Sequence, residues 1–279
     1  MTATAMSGAQ GFRLRLRAQP DFRVDLSQLQ PGVLAGRDVG EVARLKLRHA
    51  NAHLELGELF DVTAQSSDAP ELRLEGDLRR FDRIGQGMDG GRLTVAGDVG
   101  DYLGAAMRSG DVVVEGRAGH LAACEMAGGR LEVRGDVGDF AAGALPGSMD
   151  GMRGGTLVVR GNAGARFGDR MRRGTVLLLG DAGDFCASRM VAGTIALAGR
   201  VGAHCGYGMR RGTLVFAAPA PDVPATFSGT NHDICVMWAL LSRSLAGLHP
   251  AFRSLPARTP QRVVGDLAAD GKGEWLIVG

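Results

Sequence analysis

A 19-residue pattern is written twice in succession, as TLVVRGNAGARFGDRMRRG at Thr156–Gly174 and as TVLLLGDAGDFCASRMVAG at Thr175–Gly193. Each copy opens with apolar residues at alternate positions. A lead glycine follows, then a second glycine three residues later, a methionine and a closing glycine. The stretch LTVAGDVGDYLGAAMRSG at Leu93–Gly110 has the same skeleton. The chain is therefore organised around a repeat.

The repeat occurs seven times in phase. The gaps between lead glycines are 21, 19, 19, 26, 19 and 19 residues, and the longest gap holds a seven-residue insertion, LPGSMDG at Leu145–Gly151. A period near 20 residues is typical of a solenoid, in which each repeat forms one coil. The lead glycines are Gly76, Gly97, Gly116, Gly135, Gly161, Gly180 and Gly199, and the methionines are Met88, Met107, Met126, Met152, Met171, Met190 and Met209.

Apolar residues alternate before each lead glycine, as at Leu157/Val159 and Val176/Leu178. A period of two indicates strands rather than helices. Nineteen residues at ~3.3 Å each make a path of ~63 Å, which suits a circuit of three short strands with tight corners. The sequence therefore predicts an all-β fold: a right-handed parallel β-helix of about 7–8 coils, followed by a C-terminal helix. Right-handed crossovers are strongly preferred, and a left-handed helix of hexapeptides, with about 18 residues per coil, is the alternative.

Composition excludes several classes of protein. The 279 residues carry a net charge of only +2, so charge does not point to nucleic acid. The many glycines, 44 in all, and the low aromatic content of 5% fit a narrow core of small aliphatic side chains. The chain shows no signal peptide and no apolar run long enough to span a bilayer, so we expect a cytoplasmic protein with reduced cysteines.

The pattern divides the chain into three predicted regions. Residues 1–71 form N-terminal strands and irregular first coils, after a disordered start at residues 1–11. Residues 72–216 form the regular coils. Residues 217–279 form a proline-rich linker, a helix at Asp233–Leu248 and a final strand at Glu274–Val278 that pack on the solenoid. Asn231 or Asp233 is expected to cap the helix.

The outward-facing strand positions become apolar in the last coils. They carry Leu177, Leu179, Ala196 and Ala198, whereas earlier coils have mixed or polar residues there. An apolar outer face of a strand is normally covered. Either the C-terminal helix or a partner subunit is therefore expected to lie on these four residues.

A basic stripe follows the methionine column. Its members are Arg108, Arg153, Arg172 and Arg210, widened by Arg173 and Arg211. Stacked arginines repel one another unless carboxylates or an anion lie between them. Two interpretations stay open: a solvated, ion-paired edge, or a surface that binds a polyanionic ligand or an acidic partner.

Other candidate sites are weaker. Cys186 and Cys205 are one period apart and are expected to be small buried thiols. His204 follows the strand alternation to the opposite face from Cys205, which argues against a shared metal site. The Gly-Asp pairs lack the nine-residue period of calcium-binding repeats and suit tight turns instead. His232–Asp233 has no nucleophile at a recognisable elbow. We therefore predict neither a catalytic residue nor a metal ligand.

Two features resemble a known family. Glycines spaced GxxGxxxG, as at Gly161, Gly164 and Gly168, resemble the β-helix of the C-terminal domain of glutamate synthase. More closely, the repeats from about Leu72 to Thr213, with VVGDLAADGKGE at Val263–Glu274, look like the C-subunit of formylmethanofuran dehydrogenase.

This resemblance implies a non-catalytic structural subunit of a one-carbon enzyme complex. One form is the bacterial formyltransferase/hydrolase complex, which moves a formyl group from tetrahydromethanopterin to a methanofuran-type carrier and releases formate. Its other members would be an amidohydrolase-like A-subunit, a B-subunit and a formyltransferase D-subunit. The alternatives are the C-subunit of a CO2-reducing formylmethanofuran dehydrogenase and a free-standing domain like that of glutamate synthase. Glutamyl groups of the carrier would give the arginines of the stripe an anionic ligand.

Overall fold

The computed structural model describes residues 10–230 and 232–278. Seventeen strands and four α-helices follow one another there. The strands are β1 (Gln10–Leu16), β2 (Val24–Asp25), β3 (Lys46–His49), β4 (Ala52–Glu55), β5 (Phe60–Ser66), β6 (Glu71–Glu75), β7 (Phe81–Asp82), β8 (Asp89–Ala96), β9 (Ser109–Val114), β10 (Arg130–Val133), β11 (Arg153–Val159), β12 (Arg173–Leu178), β13 (Thr194–Leu197), β14 (Thr213–Phe216), β15 (Ser228–Gly229), β16 (Gln261–Gly265) and β17 (Gly273–Ile277). The helices are α1 (Pro31–Leu34), α2 (Val39–Ala43), α3 (Leu56–Leu59) and α4 (Cys235–Leu248).

Thirteen strands form one large sheet in the order β15-β16-β17-β14-β13-β12-β11-β10-β9-β8-β6-β1-β5. From β1 to β17 the neighbours are parallel, and antiparallel pairs occur only at the two ends of the sheet. The register places equivalent positions of successive repeats side by side, as in Val176↔Ile195 and Ile195↔Leu214. The prediction of an all-β fold built on stacked parallel strands is confirmed at this level.

Two further ladders join the repeats outside the large sheet. Single parallel bridges connect the residues two positions after the lead glycines, as in Ala163↔Ala182 and Ala182↔Val201. On a third side, the N–H group after each methionine donates to the carbonyl of the preceding methionine, for example Arg172 to Met152 at 2.8 Å. The seven in-phase methionines are fully buried in one core. Equivalent residues therefore stack in columns on three sides of each repeat.

Glycine is required where neighbouring repeats approach most closely. A Cβ atom on Gly199 would lie 2.2 Å from the carbonyl oxygen of Gly180. The closing Gly193 has a φ of +100°, and a Cβ there would lie 2.9 Å from the ε-methyl of Met171. The methionine and the closing glycine recur together because the methyl group of one fills the space left by the other.

The carboxylates after the lead glycines also join the repeats. The Oδ1 atom of Asp98 accepts from the N–H of Arg117 at 2.8 Å. In the same way, Asp181 accepts from the N–H of Arg200 at 2.7 Å. These side chains satisfy backbone donors of the next repeat, which explains why Asp and Asn prevail in this column.

The N-terminal region contributes strands to the large sheet and to a second, smaller sheet. Strand β1 pairs in parallel with β6, and antiparallel with β5. Strands β4, β3, β2 and β7 form a second sheet of four strands. The disorder predicted for residues 1–11 is wrong for Gln10 and Gly11, which begin β1, and residues 1–9 lie outside the described part. The division into three regions stays a prediction.

The C-terminal helix covers the apolar outer face of the last strands. Leu177 and Ala196 are fully buried in a second core with Trp238, Leu245 and Phe252, against which Leu179 and Ala198 also pack. The Nε1 atom of Trp238 donates to the carbonyl of Arg258 at 2.7 Å, which holds the helix to the segment after it. The cover thus belongs to this chain, and contact of a partner with the half-buried Leu179 and Ala198 stays a prediction.

Helix α4 begins two residues later than predicted. Asp233 accepts from the N–H of Cys235 at 2.8 Å and so satisfies a donor of the first turn. The alternative cap, Asn231, lies outside the described residues.

The four cysteines are expected to differ sharply in reactivity. Cys124, Cys186 and Cys205 are buried, whereas Cys235 is exposed at the start of α4. Burial raises the pKa of the Cys124 thiol to about 12, so almost no thiolate is present at pH 8. We expect iodoacetamide to label Cys235 alone in the folded protein and all four in urea, as counted by mass spectrometry. Labelling of Cys124 at the rate of Cys235 without denaturant would contradict the packing described.

Candidate functional site: an arginine-lined cleft

The basic stripe stands on the methionine side of the stack. The N–H of Arg172 donates to the carbonyl of Met152, and that of Arg210 to Met190, each at 2.8 Å. The N–H of Lys272 donates in turn to the carbonyl of Arg210 at 2.7 Å. Lys272 is exposed, and it extends the stripe by one layer. Sequence reasoning missed it because the C-terminal segment has no repeat.

Five arginines line one open cleft of about 530 Å3. Val191 and Ala192 are its apolar lining residues, and the arginines are Arg153, Arg172, Arg173, Arg210 and Arg211. A second cleft of about 420 Å3 shares Arg172, Val191 and Arg210 with the first. Its further walls are formed by Arg170, Arg189, Met149 of the insertion and the segment at Ala268–Asp270. We call the two together the arginine cleft.

Ion pairs neutralise only part of this charge. Arg153 pairs with Glu125, and Arg172 pairs with Asp150. Throughout the described ranges, no carboxylate lies within 4.0 Å of the guanidinium groups of Arg173, Arg210 and Arg211. Positive charge in excess of carboxylates attracts anions and concentrates them in a cleft.

Arg108 is the one predicted member that the structure does not bring to the cleft. The exposed Ala127 occupies the layer between it and Arg153, since the N–H of Ala127 donates to the carbonyl of Met107 and that of Arg153 to Met126. Arg108 therefore lies along the same row but outside both clefts.

A buried carboxylate supports the cleft from behind. Asp169 is 3% exposed, accepts from the hydroxyl of Ser188, and accepts from Nη2 of Arg189 at 2.8 Å. Arg170 lies beside it, with Nε 3.8 Å from the carboxylate, and donates to the carbonyl of Ser148 at 2.7 Å. Asp169 thus orients Arg189, while Arg170 ties the insertion to the repeats through Ser148. Its only signal in the sequence is the 19-residue spacing to Ser188.

The cysteine pair lies elsewhere. Cys186 and Cys205 are buried in adjacent repeats, and the pKa of Cys205 is raised by its hydrogen bond with Cys186 and by burial. In residues 10–230 and 232–278, no group of three or more His, Cys, Asp or Glu side chains is placed to hold a metal ion.

Stacked parallel repeats and a cleft of incompletely neutralised arginines define a class: an all-β repeat protein with an anion-attracting surface. No protein-family model matches the chain. A chain of the formyltransferase/hydrolase complex FhcABCD from Methylorubrum extorquens, solved in complex with methylofuran, is 40% identical with a TM-score of 0.88. The similarity covers 96% of this chain and 99% of that chain. The protein therefore belongs to the family of that chain, and curated relatives that match it carry the name of formylmethanofuran dehydrogenase C-subunit or of C-subunit of the formyltransferase/hydrolase complex.

Two curated relatives match over a shorter segment. The C-subunit of the formyltransferase/hydrolase complex Fhc of Methylorubrum extorquens is 43% identical over 90 residues, which are 32% of this chain and 33% of that protein. The C-subunit of the tungsten-containing formylmethanofuran dehydrogenase 2 of Methanothermobacter wolfeii is 34% identical over 92 residues, which are 32% of this chain and 34% of that protein. The matched segment thus spans about a third of these curated relatives.

Among the helices of the described ranges, none combines the length and the apolar character needed to cross a bilayer.

Proposed function

We propose that the chain is a non-catalytic structural subunit of a formyltransferase/hydrolase complex of one-carbon metabolism, located in the cytoplasm. That complex would transfer the formyl group of formyl-tetrahydromethanopterin to a methanofuran-type carrier and release it as formate. The observation that carries the proposal is the likeness to a chain of FhcABCD at 40% identity over nearly the whole length of both chains. The likeness to an archaeal tungsten-containing relative supports the alternative, the C-subunit of a CO2-reducing formylmethanofuran dehydrogenase, over a third of the chain only.

The finer architecture belongs to the same proposal. The repeats form a right-handed parallel β-helix of about 7–8 coils, as the sequence period suggested. Three hydrogen-bond ladders, one on each side of the stack, support this architecture. A rigid stack of this kind presents long, fixed surfaces to several partners at once, which suits a scaffold.

Co-purification tests the assembly. The full chain, carrying an affinity tag, is expected to bring down a formyltransferase and an amidohydrolase-like protein in fixed ratio from its own cells. Recovery of molybdenum- or tungsten-containing subunits instead would favour the alternative complex. Recovery of the chain alone under the same conditions would contradict both.

The arginine cleft gives the scaffold a second role. We propose that Arg153, Arg172 and Arg210, with Arg108 further along the row, bind the anionic part of a methanofuran-type carrier. Neighbouring layers of the stack lie ~4.8 Å apart, so a flexible chain of carboxylates can meet several guanidinium groups at once. Docking of an acidic surface of a partner subunit is the second candidate for the same charges.

Charge reversal in the cleft is expected to weaken polyanion binding. Arg210 has no carboxylate partner in the described part of the chain, whereas Arg172 is paired with Asp150. A charge-assisted hydrogen bond contributes about 1.5–3 kcal/mol, so Arg210→Glu should weaken hexaglutamate binding by about 10- to 100-fold. Arg172→Glu should have a smaller effect, because the ion pair with Asp150 already neutralises the Arg172 guanidinium that the substitution removes.

Titration calorimetry at low ionic strength measures these affinities. Arg243→Glu is the matched control, since Arg243 is exposed on α4, on the opposite side of the large sheet. Equal affinity of the wild type, Arg210→Glu and Arg243→Glu for hexaglutamate would exclude the carrier role. Complex assembly that Arg210→Glu disrupts, without hexaglutamate binding by the wild type, would favour the acidic partner.

A further inference from the structure

We infer that the last repeat binds an extended peptide segment of another subunit, which continues the stack by one layer at Val201–Cys205. The inference rests on the assembly proposed above. It concerns a different surface from the arginine cleft. This surface is the side of the stack on which single parallel bridges join the repeats, here called the bridge side.

Earlier repeats show how this surface pairs with backbone. The N–H of Ala182 donates to the carbonyl of Arg200 at 2.9 Å, and the N–H of Gly202 donates back to the carbonyl of Ala182 at 2.9 Å. A few residues on, Phe185 donates to the carbonyl of Ala203 at 2.8 Å, and Gly206 donates to the carbonyl of Cys186 at 2.8 Å. Donors and acceptors therefore alternate along each layer, as they do at the edge of a sheet.

The C-terminal segment of the chain covers the last repeat on its other two sides. Strand β17 pairs with β14 in the large sheet. On the methionine side, Asp266 accepts from the N–H of Gly208 through Oδ2 at 3.1 Å, and its own N–H donates to the carbonyl of Met209 at 3.1 Å. The chain thus closes two sides of its own final layer with backbone and carboxylate partners.

The bridge side lacks such a cover. Within the described residues, the N–H groups of Val201 and His204 have no acceptor, and the carbonyl groups of Val201 and Cys205 have no donor. These are the groups that correspond to the paired Ala182, Phe185 and Cys186 one repeat earlier. An unpaired row of this kind is a template for strand addition.

A cleft of about 530 Å3 lies against this row. Its outer wall is formed by Ala220, Pro221 and Pro224, and Trp275 forms its base. The wall makes no backbone hydrogen bond to Val201–Cys205 in the described structure. The buried Nε1 atom of Trp275 has no acceptor there either. The cleft therefore lies beside a row of unpaired backbone groups, whereas the Trp275 donor is enclosed in the core.

The chemistry of the cleft fits a peptide and not a polyanion. Two donors alternate with two acceptors, which matches a peptide backbone, whereas a carboxylate chain supplies acceptors alone. Besides the buried Cys205 thiol, the ionisable side chains of the lining are His204 and Asp222, so no excess of positive charge is present. The similar chain comes from a complex of several subunits. A segment of a neighbouring subunit is therefore the expected occupant of the cleft.

Amide hydrogen exchange tests the inference in the full chain. The Val201 and His204 amides are expected to exchange quickly in the isolated chain, and about 100-fold more slowly in the complex purified through the same chain. Val201→Pro removes one donor at a position where none is used within the chain, and should weaken association with the other subunits at least 10-fold. Val201→Ala, which keeps the donor, should leave association within about 2-fold of wild type.

The outcomes separate the two proposals. If the chain fails to co-purify with the other subunits, the proposed function fails. If it co-purifies while both amides still exchange quickly, the strand addition is wrong. Protection that appears in the isolated chain and rises with its concentration would assign the edge to a second copy and also overturn the inference. Where Val201→Pro lowers the melting temperature, the exchange measurement on the wild type decides.

Discussion

Gly199→Ala is expected to lower the free energy of unfolding by about 3 kcal/mol or more, the upper end for overpacking a core. The added Cβ would lie 2.2 Å from the carbonyl oxygen of Gly180 and 2.5 Å from its carbonyl carbon. Both obstacles are backbone atoms of the adjacent repeat, so no side chain can move aside. The layers would have to separate locally, which breaks ladder hydrogen bonds on either side.

Denaturant unfolding, followed by far-ultraviolet circular dichroism, measures the loss. Gly247→Ala is the matched control, because a Cβ at Gly247, in the last turn of α4, has no atom within 4 Å. That substitution should stabilise the protein by about 0.5–1 kcal/mol. Equal stabilities of the two variants would show that the repeats do not approach as closely as described.

Met171→Ala is expected to destabilise the protein by about 2–5 kcal/mol, the range for truncating a buried methionine. Met171 is fully buried in the central column. Its ε-methyl fills the space beside the closing Gly193. Removing it leaves a cavity between two layers that are held apart by backbone hydrogen bonds and cannot collapse onto it.

The same substitution at Met149 is the control. Met149 lies in the insertion and is 69% exposed, so Met149→Ala should change the free energy of unfolding by no more than about 0.5 kcal/mol. Thermal melts of the three proteins at one pH compare them directly. A Met171→Ala variant as stable as Met149→Ala would show that the methionine column does not stabilise the core.

The repeat made the fold predictable from the sequence. Alternating Leu157 and Val159 indicate a strand on their own, and the recurrence of that pattern every 19 residues implies that equivalent positions stack. The lead glycines mark the closest approach of layers, as Gly199 shows. The predicted start of α4 was two residues early because Asp233 satisfies a first-turn donor from outside the helix.

The candidate site could be predicted from the sequence only in part. Arg153, Arg172 and Arg210 meet in one cleft because the period brings them to one side of the stack. Lys272 joins their row and Asp169 orients Arg189, and neither was predicted. Lys272 lies in a segment without a repeat, and a lone Asp gives no sign that its carboxylate is buried.

By itself, the sequence determined that the repeats stack on one another, which residues form the core columns, and which residues form the basic stripe. Each of these depends on a local pattern repeated at a constant period. Tertiary structure alone determined what covers the ends and faces of the stack. The outer face at Leu177 lies under the chain's own helix, two sides of the final layer are closed by the C-terminal segment, and the side at Val201 is left unpaired within the described residues. These features depend on the path of residues 217–230 and 232–278, which no period constrains and which is set by long-range packing and backbone hydrogen bonds.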